Sequence, residues 1–451
     1  MKFSPSIICR KLTNFADLRC CLRLSLWFPV IFMSLFPVHA SAGEDFSLDL
    51  VEFEKKPYTL GGFAEIRWER MDIREDSTAA LLNLHDPPST LNRLTTSMQF
   101  KGSYTKGIAG FNWLAAASAG QDDLGWTDSL DLYEGYLTLQ PTPAIHAAFG
   151  KKSYIWGKGY AWNPAGFINR TKDPNNPEEA LEGYVTAEAE WIRSFSGDLK
   201  NIAFTSVALP VDGNLNDEFG SEGHVNFATK LYLLYLDTDF DFIVYSGDSR
   251  TNRYGFDFSR NITSNFEMHG EIAHLTSIDK AILMENGQIL VENDDNTSGL
   301  VGIRYLTSHD LTSIIEYYHN SGGYSAEEMN LFYNRVDLAE EQWADSGEGD
   351  LLQVTGNLGS RGYTRPYAGK DYLYARLSQK EPFDILYFTP AVTTIINLDD
   401  GSFSVTPELT YTGYTNWELQ LRWAILEGDS NSEYGEKQNS NKIELRVRYF
   451  F

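Results

Sequence analysis

The chain has 451 residues, 62 acidic side chains against 37 basic ones, a formal net charge of -25 and 14% aromatic residues. So acidic a balance argues against nucleic acid as a partner. Its three cysteines, Cys9, Cys20 and Cys21, all lie near the start, so the rest of the chain has no disulfide, thiolate metal site, cysteine nucleophile or thiol-attached haem.

Lys2, Arg10, Lys11, Arg19 and Arg23 precede an apolar stretch from Leu24 to Val38, which ends in the small residues Ala40-Ser41-Ala42. This layout predicts a secretory signal peptide over residues 1–42, cleaved after Ala40 or Ala42. Pro29 and Pro37 interrupt the apolar run, which is short of the roughly 20 residues a spanning helix needs. Residues 43–451 read as one domain, because no Pro/Ser-rich linker divides them and no other apolar run reaches spanning length.

Eighteen segments then read as strands, with sixteen as the alternative count. The first nine lie near 57–69, 91–104, 108–118, 129–140, 143–151, 184–195, 200–209, 223–235 and 239–247. The rest lie near 252–259, 264–275, 298–308, 311–319, 371–380, 383–393, 403–412, 416–427 and 441–451. Many alternate with period two: Leu94, Met98, Phe100 and Tyr104 on one face, Arg93, Thr95, Ser97, Gln99, Lys101 and Ser103 on the other. Short turns such as Thr105-Lys106-Gly107, Pro141-Thr142, His309-Asp310 and Glu381-Pro382 alternate with connections near 70–90, 119–128, 152–183, 210–222, 276–297 and 320–370, most of them long and acidic or Asn/Gly-rich. An even strand count with long loops at one end only predicts an all-β fold, a transmembrane antiparallel up-and-down β-barrel with long extracellular loops.

The connection after the fifth strand carries Trp156-Gly157-Lys158-Gly159-Tyr160-Ala161-Trp162-Asn163-Pro164 and continues through Asn169-Arg170-Thr171-Lys172-Asp173-Pro174. Its Gly-Lys-Lys…Trp-Gly lead-in and its Asn-Pro and Asp-Pro steps resemble the corresponding loop of porin-like and alginate-export-like barrels over some 30 residues. The resemblance implies a loop folded inward as a constriction, with Trp156, Trp162, Arg170, Lys172 and Asp173 at the narrowing; the alternative is an exposed loop stiffened by its prolines. In the 320–370 connection, Ser325-Ala326-Glu327-Glu328 followed by Met329, Leu331, Phe332, Val336, Leu338 and Trp343 predicts an N-capped amphipathic helix, over the mouth or at its rim.

The polar face of the strands supplies the candidate pore-lining residues Arg67, Arg93, Lys101, Glu134, Glu188, Glu190, Arg304, Arg376, Arg422, Arg446 and Arg448. Opposed acidic and basic side chains would set a transverse field across a water-filled lumen, with weak preference for cations; lateral ion pairing between strands is the alternative.

The last strand, Lys442 to Phe451, places Ile443, Leu445, Val447, Tyr449 and Phe451 on one face and Glu444, Arg446 and Arg448 on the other. It resembles the C-terminal strand of Gram-negative outer-membrane β-barrels. That resemblance implies location in the cell outer membrane and, as partners, its lipids and lipopolysaccharide, the β-barrel assembly machinery and small hydrophilic solutes. The expected function is a porin-like channel with no cofactor, no metal and no catalytic residues. A second reading is a scaffold sleeve around a multihaem cytochrome in a porin-cytochrome electron conduit, which needs a wide lumen without an inward loop. A third starts from His319-Asn320-Ser321-Gly322-Gly323-Tyr324-Ser325 and Asn334-Arg335, which resemble the pattern of outer-membrane phospholipase A. It requires Ser321 and His319 to form a nucleophile and base pair.

Overall fold

The structure is a computed structural model, which describes residues 56–451 except 85, 86, 178 and 348; the expected signal peptide over 1–42 lies outside the described residues. The first nine strands are β1 (Tyr58–Ile73), β2 (Thr90–Lys106), β3 (Ala109–Asp122), β4 (Gly125–Thr142), β5 (Ile145–Lys152), β6 (Tyr184–Ser194), β7 (Leu199–Val211), β8 (His224–Tyr235) and β9 (Thr238–Ser246). The second nine are β10 (Arg253–Thr263), β11 (Phe266–Leu283), β12 (Ile289–Leu306), β13 (Leu311–Asn320), β14 (Asp371–Gln379), β15 (Phe388–Asn397), β16 (Phe403–Tyr411), β17 (Trp417–Glu427) and β18 (Asn439–Phe450). Among the described residues, three α-helices stand in the connections: α1 (Thr78–Asn83), α2 (Ala326–Ser346) and α3 (Asp350–Leu358).

Each strand pairs antiparallel with its chain neighbours, and β18 returns to β1 with Phe63 opposite Phe450 and Trp68 opposite Leu445, so the sheet is a closed 18-stranded barrel. Closure is what hydrocarbon demands, because an open edge would leave a row of backbone donors and acceptors without partners. Along β18, Leu445 and Tyr449 are 46% and 37% exposed while Glu444 and Arg446 are 3% and 7% exposed. The apolar face therefore looks outward and the charged face inward.

Strand boundaries depart from the sequence expectation at three of the connections. Over 119–128 the ladder continues, and β3 and β4 are joined by a tight turn in which Asp122 Oδ1 accepts the N–H groups of Leu124 and Gly125 at 3.0 and 2.9 Å. Most of the 276–297 stretch is likewise a hairpin extension of β11 and β12, with Lys280 opposite Glu292 and Ala281 opposite Val291. These arms lack a period-two alternation because their apolar residues come in continuous runs, Ala281 to Met284 and Ile289 to Val291, with Ala281 and Leu283 packed under a helix of a later connection. Conversely, the segment expected to be a strand from 383 enters its ladder only at Phe388, since Glu381, Phe383, Asp384 and Tyr387 have φ between 49° and 63°.

Helix α2 begins with a capping box in which the Ser325 hydroxyl accepts the Glu328 N–H at 3.2 Å and the Glu328 carboxylate accepts the Ser325 N–H at 2.7 Å. It buries Met329, Phe332, Tyr333 and Val336, a spacing of three to four residues that gathers one face. That face packs with Ala281 and Leu283 of β11, with Tyr324 and Tyr363, and with Leu81 and Leu82 of α1. In the ring β11 and β1 are eight strands apart one way and ten the other, so α2 joins opposite sides of the mouth.

Candidate functional site

The connection between Lys152 and Tyr184 turns into the barrel. Glu271 on β11 accepts the backbone N–H groups of Lys158, Gly159 and Ala165 at 2.5, 2.6 and 3.1 Å, and the Asn163 side-chain amide at 2.9 Å. Glu316 on β13 accepts the N–H groups of Tyr160 and Ala161 at 2.5 and 2.8 Å, and His269 Nε2 lies 2.8 Å from the same carboxylate. Lys158 Nζ reaches Asp241 of β9 at 2.8 Å and Asp257 of β10 at 3.7 Å. Further along, the Asn175 carbonyl accepts a hydrogen bond from Arg422 of β17, and its side-chain oxygen lies 3.5 Å from Thr406 of β16. A segment that leaves the wall at β5 and rejoins it at β6 is thus tied to the β9–β13 arc and to β16 and β17, which takes it across the lumen.

Two glycines make this path possible. Gly157 has φ +98°, and a Cβ there would stand 2.6 Å from a Glu271 carboxylate oxygen; at Gly159 it would stand 2.0 Å from the Trp162 carbonyl oxygen. Between them the backbone comes close enough to present a run of N–H groups to two carboxylates, a concave anion-binding arrangement. Trp162 is then fixed among Tyr318, Tyr367, Tyr372 and Tyr374, with ring centroids 5.2 to 6.1 Å away. Trp156 is bracketed by Asn169, which accepts its N–H at 3.0 Å and donates to its carbonyl at 2.7 Å.

Burial works against charge on Lys158, but the carboxylates of Asp241 and Asp257 outweigh it and hold the ammonium above its ordinary value. For Lys172 burial prevails and the value is lowered; its Nζ donates to the carbonyls of Gly159 and Tyr160 at 2.9 and 3.3 Å.

The five residues expected at a narrowing therefore do different things. Trp156 and Trp162 are 5% and 9% exposed and serve as packing anchors. Lys172 closes the loop on itself, and Asp173 Oδ1 accepts the Asn175 N–H at 2.9 Å in the following turn. Arg170 turns away to Glu218 in the connection after β7 and lies over the Tyr184 ring at 4.3 Å.

The wall residues are mostly paired with neighbouring strands. Arg93 lies 2.9 Å from Asp122, Arg446 3.1 Å from Glu418 and Arg448 2.6 Å from Glu65. Arg376 and Arg422 share Glu408 at 3.1 and 2.8 Å, and Arg304 stands 3.8 Å from Glu267. Lys152 takes Glu188 at 2.7 Å, and Arg67 lies 3.9 Å from Glu69. Glu134 accepts the Ser153 N–H at 3.1 Å, and Glu190 accepts the Thr205 hydroxyl at 3.0 Å. Lys101 is exposed and has no ion pair among the described residues. The acids and bases expected to face each other across the lumen instead interleave around the ring, because a neighbouring strand is only about 5 Å away and attraction falls with distance.

Sequence reasoning did not single out Lys158, Tyr160, Asn163 or Asn175, although they make the loop-to-wall bonds. The Gly157-Lys158-Gly159 run was the available signal, since paired glycines mark close backbone approach. The two catalytic candidates are engaged separately. His319 Nδ1 lies 2.7 Å from Asp371, and the Ser321 hydroxyl donates to Asn296 at 2.6 Å.

No family model matches the chain, and no curated protein matches it. Solved structures do match. The outer membrane protein OprD from Pseudomonas aeruginosa is 10% identical, with 88% of this chain and 94% of that one covered and a TM-score of 0.51. OccAB1 from Acinetobacter baumannii is 8% identical over 87% of this chain and 96% of that one, with a TM-score of 0.53. OccK2 (OpdF) from Pseudomonas aeruginosa, in complex with glucuronate, is 11% identical over 87% and 98%, with a TM-score of 0.51. The shared property is the fold, a closed antiparallel β-barrel.

Proposed function

We propose that this protein sits in the outer membrane as a channel for passive or selective diffusion of small hydrophilic solutes, with the 153–183 loop as its narrowing. The observation that carries the reading is that Glu271 and Glu316 of the inner wall hold the backbone of this loop inside a barrel whose exterior is apolar. A wall-held loop sets an aperture without moving parts, and paired charges on the wall keep the path wet. The apolar belt meets lipid and lipopolysaccharide. The formal net charge of -25 supports a weak preference for cations. A sleeve role fits this geometry poorly, since the loop occupies space a cytochrome would need.

The test is planar-bilayer conductance of the purified full chain, with a panel of sugars, carboxylates and cations. Discrete conductance steps and solute flux are expected, with a reversal potential displaced toward cations. A silent bilayer would reject the channel, and strong anion preference would reject the selectivity.

A further inference from the structure

Beside the inward loop the inner wall is recessed. The recess, about 310 Å³, is lined by Glu190 and Ile192 of β6, Asn201, Ala203 and Thr205 of β7, and Lys230 and Tyr232 of β8. Two in-register rows build it: Glu190, Thr205 and Lys230 side by side on three strands, then Ile192, Ala203 and Tyr232. The outward neighbours Trp191 and Phe204 are 43% and 46% exposed, so these rows face the lumen. The loop stands over one edge, with Lys230 Nζ 5.4 Å from the Trp156 ring centroid and Lys158 Nζ 5.8 Å from that of Tyr232.

The two charged groups are weakly committed. Glu190 accepts a hydrogen bond from Thr205 but has no cation within ion-pair distance among the described residues, unlike Glu65, Glu188, Glu408, Glu418 and Glu444. Lys230 lies 3.9 Å from Asp241, whose nearer cation is Lys158 at 2.8 Å. One carboxylate and one ammonium therefore flank the recess with Thr205 between them, about 10 Å apart at the backbone, two strand spacings. A solute anion alone would meet Glu190, and a cation alone would meet Lys230; a molecule with both charges satisfies both. Ile192 and Ala203 supply an apolar floor for the methylenes between the charges.

We propose that this recess is a holding site for a small zwitterion whose ammonium and carboxylate are joined by a short aliphatic chain, the ammonium at Glu190 and the carboxylate at Lys230. It deepens the channel reading and rests on it for its place along a solute path.

The experiment measures binding of γ-aminobutyrate, butyrate and n-butylamine to the detergent-solubilised full chain by ligand-observed NMR at neutral pH, with single-channel conductance recorded in parallel. γ-Aminobutyrate is expected to bind about tenfold tighter than either singly charged probe. Glu190→Gln and Lys230→Met should each abolish that preference, with far-UV circular dichroism verifying the barrel. The double exchange Glu190→Lys with Lys230→Glu should restore it, because a zwitterion can bind reversed. Equal binding of the three probes, or a preference that survives both single substitutions, overturns the site. Zwitterion preference without conductance would reject the channel while leaving the recess a binding site; conductance without the preference would reject the recess alone.

Discussion

The Glu271 carboxylate accepts the backbone N–H of Gly159 at 2.6 Å across 112 residues of sequence. It is one of four donors from the same loop that converge on this carboxylate, with Lys158 N–H, Asn163 Nδ2 and Ala165 N–H beside it. The carboxylate would be costly to bury alone, and so would the loop amides; together they satisfy each other.

Glu271→Ala removes the acceptor of four donors: Lys158, Gly159 and Ala165 N–H and the Asn163 amide. Hydrogen bonds to a charged group are worth roughly 1.5–3 kcal/mol each, so the loop should detach from this arc of the wall. Higher single-channel conductance and new protease cleavage within 157–165 are expected, with Glu271→Gln intermediate. Unchanged conductance and digestion would show that the loop does not depend on this carboxylate.

Gly157→Ala should act at the same place through backbone strain. Its φ of +98° disfavours any L side chain, and the added Cβ would stand 2.6 Å from the Glu271 carboxylate. A cost of about 1–3 kcal/mol is expected, read as a lower unfolding temperature together with raised conductance. A variant with wild-type melting and conductance would contradict the assigned path.

Lys158 gives the loop a pH response. Its folded-state value lies above the ordinary 10.5, so its ion pair stabilises the fold fully below 10.5 and is lost as pH rises through the raised value. Conductance should stay level from neutral pH to about 10 and increase only beyond the ordinary lysine range. Lys158→Met leaves Asp241 and Asp257, 1% and 0% exposed, without their nearest cation, and should cost about 3–5 kcal/mol. Denaturant unfolding of wild type and variant measures that loss, and a difference under about 1 kcal/mol would refute it.

The helical cap should open independently of the barrel. Phe332 is 0% exposed and stacks on Tyr363 with ring centroids 4.6 Å apart. Phe332→Ala should remove about 3–5 kcal/mol of local packing. Hydrogen exchange is expected to accelerate across Ala326–Ser346 while strands such as β17 keep their protection. Uniform acceleration through the barrel would mean that cap and wall unfold together.

Much of the architecture was written locally. Period-two alternation in Ile443 to Phe451 marks a wall with lipid on one side and water on the other, and the strand number and closure follow from repeating it. The Ser325 to Glu328 capping box is likewise local, because both partners lie within one helical turn. Alternation fades at about residue 275 and resumes near 298, although the β11–β12 ladder runs through the gap: the continuous apolar runs there serve the packing of α2, and a period-two pattern does not report the hydrogen-bond ladder itself. Pairing partners were less legible. Arg422 could be assigned to the interior from its parity, but nothing near it in sequence points to Glu408 or to the Asn175 carbonyl.

A β-barrel, its inward and outward faces and the helix in its longest connection are legible in the chain, because strand parity and helix capping are settled within a few residues. Tertiary structure alone decided that Glu271 and Glu316 hold the loop, that most wall charges pair sideways, and that Glu190 and Lys230 are left flanking a recess. Those outcomes depend on register and ring closure, which bring together groups separated by tens to hundreds of residues, and no short-range pattern encodes which carboxylate a distant amide will meet.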